Sequence, residues 1–180
     1  MNYSEIKKSD EYLEDKDCCT VVASAVAFDM TFEESQKFYD EHGRKRNKGY
    51  RDWDGAIIDL AKLKGYELQR YSVRYTQKGW ALVKTNVSGA YRSELHEVKT
   101  YLNSKNSINI SNWKRFFSAD ETYIFSFNGS ISHVGAVKNG NVEDWTNGRK
   151  YSICGAFKIT KKENVKILTK NENPFKKFGL

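Results

Sequence analysis

No stretch of this 180-residue chain is apolar for anything near the roughly 20 residues that a membrane-spanning helix needs. The opening residues, MNYSEIKKSDEYLEDKD, lack an apolar signal core, which argues against export by the usual route. Cysteine is scarce: three residues, an odd number without dense spacing, exclude a disulfide scaffold. Histidine is equally scarce, and the three that exist are too scattered, with the cysteines, to suggest a zinc site. No P-loop or dinucleotide fingerprint occurs, so no metal or cofactor is expected. These absences point to a cytoplasmic protein with free thiols and no membrane partner.

The composition, 39% hydrophobic and 29% charged, suits one globular domain with room for a core and a cleft. The formal charge of +7 is diffuse. Its densest part runs from Lys158 to Lys177, and GRKRNKGYR is a second basic cluster. No recognition motif accompanies either, so both read as solvated basic surface first and as a nucleic-acid contact second.

Helical signals fill residues 1–65. Asp17 is placed as an N-cap, and Cys18 to Phe28 are small or apolar nearly all round, as in a buried helix. Thr31 and Glu34 form a capping box for a second helix running to His42, closed by Gly43. Asp54 precedes a third amphipathic helix that Gly65 stops. Residues 66–118 are mixed: YELQRYSVRY reads as a strand, SELHEVKTYL has a helical period, and SNWKRFF suits one short helix. Between 119 and 170, TYIFSF, SHVGAV, NVEDW and SICGAFKI are four short β-runs separated by Gly-containing turns. Helices first and strands afterwards predict an α+β domain over 1–180, with helices packed on an antiparallel sheet.

The chemistry gathers at the thiols. With Asp17 as cap, Cys18 and Cys19 both fall in the first turn, where free N–H groups and the helix dipole favour thiolate. Cys154, inside a strand, reads as core. A nucleophilic cysteine needs a base. His42 suits a helix end and His96 a charged helix, whereas His133 opens a strand just before an Asn-Gly turn. A two-residue turn at Asn139 and Gly140 pairs Lys138 with Asn141 and Val137 with Val142, so Gly135 faces Asp144. Asp144 is then the diagonal cross-strand neighbour of His133, and a glycine at 135 leaves the space between them open. That spacing suits a carboxylate orienting an imidazole, and Asn147, the other candidate, has the opposite parity. Trp145, beside Asp144, is placed to shield that bond from water, and Trp53, Trp80 and Trp113 read mostly as core and cleft lining.

CTVVASAVAFDMTFEESQKFYDEHGRKRNKG resembles the nucleophile region of small papain-like proteins of bacteria and their phages, relatives of the peptidases that trim bacteriocin leaders. SHVGAVKNGNVEDW is similar to that group's second signature, a hairpin carrying the histidine and the acid. The resemblance covers residues 15–65 and 120–160 and leaves Tyr75 to Asn112 unplaced. It implies a papain-like fold with Cys19 as nucleophile, His133 as general base and acid, Asp144 as orienter, and a protein or peptide substrate. Two departures stand out. No glutamine precedes the cysteine, where Glu14 stands near the expected place, and Ser132 replaces the glycine before the histidine. Part of the oxyanion hole would then come from the Cys19 backbone N–H. The implied activity is a cysteine-dependent peptidase or amidase acting through a thioester. A non-catalytic papain-like binding protein or inhibitor, and a deamidase or transglutaminase-type acyl transferase, are the alternatives.

Overall fold

The computed structural model describes residues 1–50, 53–76, 79–86, 95–101, 107–128 and 132–162. Five helices come first: α1 (Tyr3–Ile6), α2 (Asp10–Glu14), α3 (Cys19–Ala27), α4 (Phe32–Glu41) and α5 (Trp53–Lys64). Seven strands follow, β1 (Tyr66–Thr76), β2 (Gly79–Asn86), β3 (Leu95–Tyr101), β4 (Thr122–Asn128), β5 (His133–Lys138), β6 (Asn141–Glu143) and β7 (Ser152–Lys161). They form one antiparallel sheet in the order β3-β2-β1-β7-β4-β5-β6, so the architecture is α+β. Among the described residues no helix is long and apolar enough to cross a membrane.

Both faces of the central strands are covered, which is why they read as nearly continuous apolar runs. On one face Ile124, Val134, Ala136, Phe157 and Ile159 meet Val21, Val26, Phe32, Tyr39, Ile57 and Leu60 of the helices. On the other, Tyr123, Phe125, Phe127, Val137 and Ile153 lie under Ile108, Ile110, Trp113 and Phe117. The odd residues of β4 face one layer and Ile124 the other, as a period of two requires. Trp113 opens a short 3-10 helix at Trp113–Arg115, the helical turn expected in SNWKRFF.

Helix α3 is buried along almost its whole length, and its small residues let α4 and β5 come close. Its polar side chains stay satisfied inside: Ser24 Oγ lies 2.8 Å from Tyr39 Oη, and Ser35 Oγ of α4 donates to the Val21 carbonyl. Helix α4 carries the expected capping box, Thr31 Oγ1 accepting from Glu34 N–H and Glu34 Oε2 from Thr31 N–H. Gly43, at φ +89°, ends it.

Three local expectations change. The N-cap of α3 is Cys18, which makes no side-chain capping bond, and Asp17 is exposed one residue earlier. SELHEVKTYL supplies β3 rather than a helix. Its Leu95, Val98 and Tyr101 spacing fits a helix, but Val98, Thr100 and Tyr101 are strand formers, and the edge of β2 offers a backbone ladder, shifted once at Lys84–Thr85. The segment left unplaced also contributes β2.

Candidate functional site: a thiol–imidazole–carboxylate cleft

The Asn139-Gly140 turn forms with both residues at positive φ, as a tight hairpin turn requires. Lys138 pairs with Asn141, Val137 with Val142 and Ala136 with Glu143. One step further, Gly135 opposes Asp144. His133 Nε2 reaches Asp144 Oδ2 at 2.9 Å. Both side chains are largely buried, at 9% and 4% exposure, so the bond is sheltered.

The same carboxylate oxygen accepts from the Thr146 backbone N–H at 3.0 Å and from Thr146 Oγ1 at 2.6 Å. Thr146 is fully buried and fixes the acid from the far side. Asn147 is exposed, and only its backbone N–H reaches back, to the Asp144 carbonyl. The His133 ring stacks on Phe127 at 5.6 Å between centroids and meets Trp145 at 4.9 Å. Two aromatic rings therefore shield the imidazole from water.

Gly135 is indispensable to this arrangement. A Cβ there would sit 2.9 Å from Asp144 Cγ and 3.0 Å from Oδ2, and the three hydrogen bonds on Oδ2 leave the carboxyl little freedom to yield. Gly135→Ala is expected to push Asp144 off the imidazole and to destabilise the fold by about 1–3 kcal/mol, the usual cost of overpacking. Thermal melting together with the pH titration of the His133 ring by NMR checks both effects. A variant whose imidazole titrates as in the parent would count against the close approach.

The thiols divide sharply. Cys18 is buried, and burial, with the Asp15 carboxylate nearby, pushes its thiol up to about 12. Cys19 sits at the first helical position of α3 and behaves oppositely. Burial works against ionisation, but hydrogen bonds from His133 and the Val134 backbone, and the charge of His133, bring its thiol below the usual range. For His133 burial alone would lower the imidazole, yet Asp144 and Cys19 raise it to about 9. With Nε2 occupied by Asp144, Nδ1 is the ring nitrogen left for the thiol. Cys154 lies in β7, half buried, with Sγ 3.3 Å from Ser126 Oγ.

Cys19, His133 and Asp144 line one cleft of about 210 Å³, together with Cys18, Tyr3, Tyr12, Lys16, Asp17, Gly49, Ser132 and Trp145. Glu14 is exposed and outside it. Tyr12, absent from the sequence reading, contacts the Tyr3 hydroxyl at 3.3 Å. Burial, and then Tyr3, hold its phenol protonated well above the ordinary range, so it remains a donor. His42 is exposed with Nδ1 on the Phe38 carbonyl, and His96 falls within β3. Among the described residues no group of three His, Cys, Asp or Glu could hold a metal ion.

A buried ion pair sets the start of α3. Arg44 Nη2 lies 2.7 Å from Asp15 Oδ2, and neither side chain is exposed. Asp15 also accepts from Asn47 N–H and Gln36 Nε2, while Arg44 Nη2 donates to the Asp17 carbonyl at 3.0 Å. The segment before the thiols is thus tied to the loop after α4. GRKRNKGYR is therefore not all solvated surface: Arg44 is interior, while Lys45, Arg46 and Lys48 remain exposed. Of the basic tail, Lys158 pairs with Glu121, and the part from 163 onward lies outside the described residues.

No protein-family model matches this chain, and neither a curated protein nor a solved structure matches it at a significant level.

Proposed function

We propose that this protein is a papain-like cysteine-dependent hydrolase of amide or related acyl bonds, working through a thioester on Cys19. The observation that carries the reading is that Cys19, His133 and Asp144 line one cleft with His133 Nε2 2.9 Å from Asp144 Oδ2, and the opposed shifts, Cys19 down and His133 up to about 9, agree with it. A thiolate beside an imidazolium at neutral pH is the pairing nucleophilic thiol chemistry needs. The thiolate attacks the carbonyl carbon, and the carbonyl π pair moves to oxygen. Donors for that oxygen are the Cys19 N–H, unpartnered within the helix at its first turn, and the Tyr12 hydroxyl on the cleft wall. Collapse expels the amine, which takes the imidazolium proton. Water then gives a proton to His133, attacks the thioester and releases the thiolate. Asp144, held by Thr146, keeps the ring oriented throughout.

Turnover should rise as Cys19 ionises, below the ordinary thiol range, and fall as pH passes about 9, where His133 loses the proton it must donate. Exposure to p-nitrophenyl acetate should give an acetyl group on Cys19, read by mass, and deacetylation, in which neutral His133 takes the proton of water, should quicken rather than slow as pH rises. No acetyl-Cys19 at any pH refutes the reading. Added amine distinguishes hydrolysis from acyl transfer, since the same three residues serve both. A non-catalytic binding role is the second reading, favoured by the lack of any Asn or Gln side chain among the described cleft residues. An unreactive Cys19 together with salt-sensitive binding to nucleic acid or protein would support it.

A further inference from the structure

Resting on that reading, we infer that the acyl donor is an acidic peptide segment, recognised by a basic rim around the Cys19 cleft. Three cations stand on or next to the cleft lining, each from a different part of the chain. Lys16 lines the cleft directly from the segment before α3. Lys48 is exposed next to Gly49, another lining residue, on the loop that the Lys16 N–H reaches through Asn47 Oδ1 at 2.9 Å. Arg149 is exposed, and its guanidinium lies 4.9 Å from the Trp145 ring centroid, on the wall beside His133. That stacking fixes the position of the charge without neutralising it.

Among the described residues none of the three has an ion pair with a carboxylate. Lys45 and Lys150 extend the field outward along the same two loops. Negative charge within the lining is confined to Asp17, at the surface, and Asp144, which is turned onto His133 and Thr146. The acidic residues of α2, Asp10, Glu11 and Glu14, do not line the cleft. A substrate approaching Cys19 therefore meets Lys16 and Lys48 beside the start of α3 and Arg149 on the Trp145 wall beside His133. The aromatic surfaces of Tyr3, Tyr12 and Trp145 remain for the apolar part of its backbone and side chains.

The test uses two peptidyl chloromethyl ketones of the same length, one with Glu at the positions flanking the reactive centre and one with Lys. The second-order rate of Cys19 alkylation is read by mass. The Glu probe is expected to react about tenfold faster at low ionic strength, an advantage that shrinks as salt rises, because exposed charges each contribute little and are screened. Lys48→Glu with Arg149→Glu, neither residue part of the catalytic machinery, should abolish or invert the preference while leaving iodoacetamide labelling of Cys19 unchanged. Equal rates for the two probes, or a Glu preference that survives the double reversal, overturns the inference and leaves the thiol chemistry standing. Failure of either probe and of iodoacetamide to modify Cys19 overturns the hydrolase reading itself.

Discussion

Iodoacetamide at neutral pH is expected to modify Cys19 first, and Cys19→Ala should leave the folded protein without its fast-reacting thiol. The expectation follows from ionisation. An ordinary thiol is only a few per cent thiolate at pH 7. Cys19 lies below that range because of His133 and the Val134 backbone, and Cys18 is pushed up to about 12 by burial. The rate at Cys19 should therefore exceed that of a free thiol by about tenfold, and that at Cys18 should be lower by orders of magnitude. His133→Ala removes the hydrogen bond and the charge together, so labelling should fall toward the free-thiol rate or below it, burial then acting unopposed. Peptide mapping after a timed pulse separates the three sites. Faster labelling at Cys18 or Cys154 than at Cys19 would sink the assignment of the nucleophile.

The second large effect concerns the buried ion pair. Arg44→Ala leaves the Asp15 carboxylate fully buried without its cation, which typically costs about 3–5 kcal/mol. For a chain of this size that corresponds to a fall in Tm of roughly 10 °C. Asp15 also supplies a pH signature. Burial alone would raise its pKa, but Asn47 N–H and then Arg44 outweigh it and hold it below 3.8. A depressed carboxylate contributes stability above its unfolded value and loses it as pH falls through the folded one, so the parent should weaken below about pH 4. In Arg44→Ala, burial dominates instead, and the deficit relative to the parent should narrow on acidification toward that range. Differential scanning calorimetry between pH 3 and 7 reads both. A deficit that stays constant with pH would mean that Asp15 is not the group left exposed to the loss. Asp15→Leu with Arg44→Met should recover much of the stability, since removing both charges avoids the orphaned one.

These two expectations mark where local pattern was informative and where it was not. The His133–Asp144 bond was legible because a two-residue Asn-Gly turn fixes register, and register fixes which side chains share a face. Capping boxes and terminal glycines gave α4 and its end for the same reason: each is a backbone requirement written into one or two residue types. Arg44 was not legible. Nothing in GRKRNKGYR separates the one arginine that finds a buried carboxylate from its solvated neighbours, because the partner lies 29 residues away. Thr146 was missed although it sits only two residues from Asp144, since a threonine after a strand end has many ordinary uses. Strand β3 was misread because three apolar residues at i, i+3 spacing satisfy a helix and an edge strand alike. Asp17 was misplaced as the cap by one position, a shift that puts Cys18 at the cap and Cys19 on the first turn. Tyr12 became visible only when α2 folded against the cleft.

The position of β7 has a consequence for synthesis. It is the last strand among the described residues, yet it bridges β1 on one side and β4 on the other. Until residues 152–161 emerge from the ribosome, the sheet exists as two separate ribbons, each with a bare inner edge able to recruit a neighbouring nascent chain. Stalled translation just short of that strand should therefore yield clumping intermediates, and the closing ladder is what joins the two ribbons into one sheet.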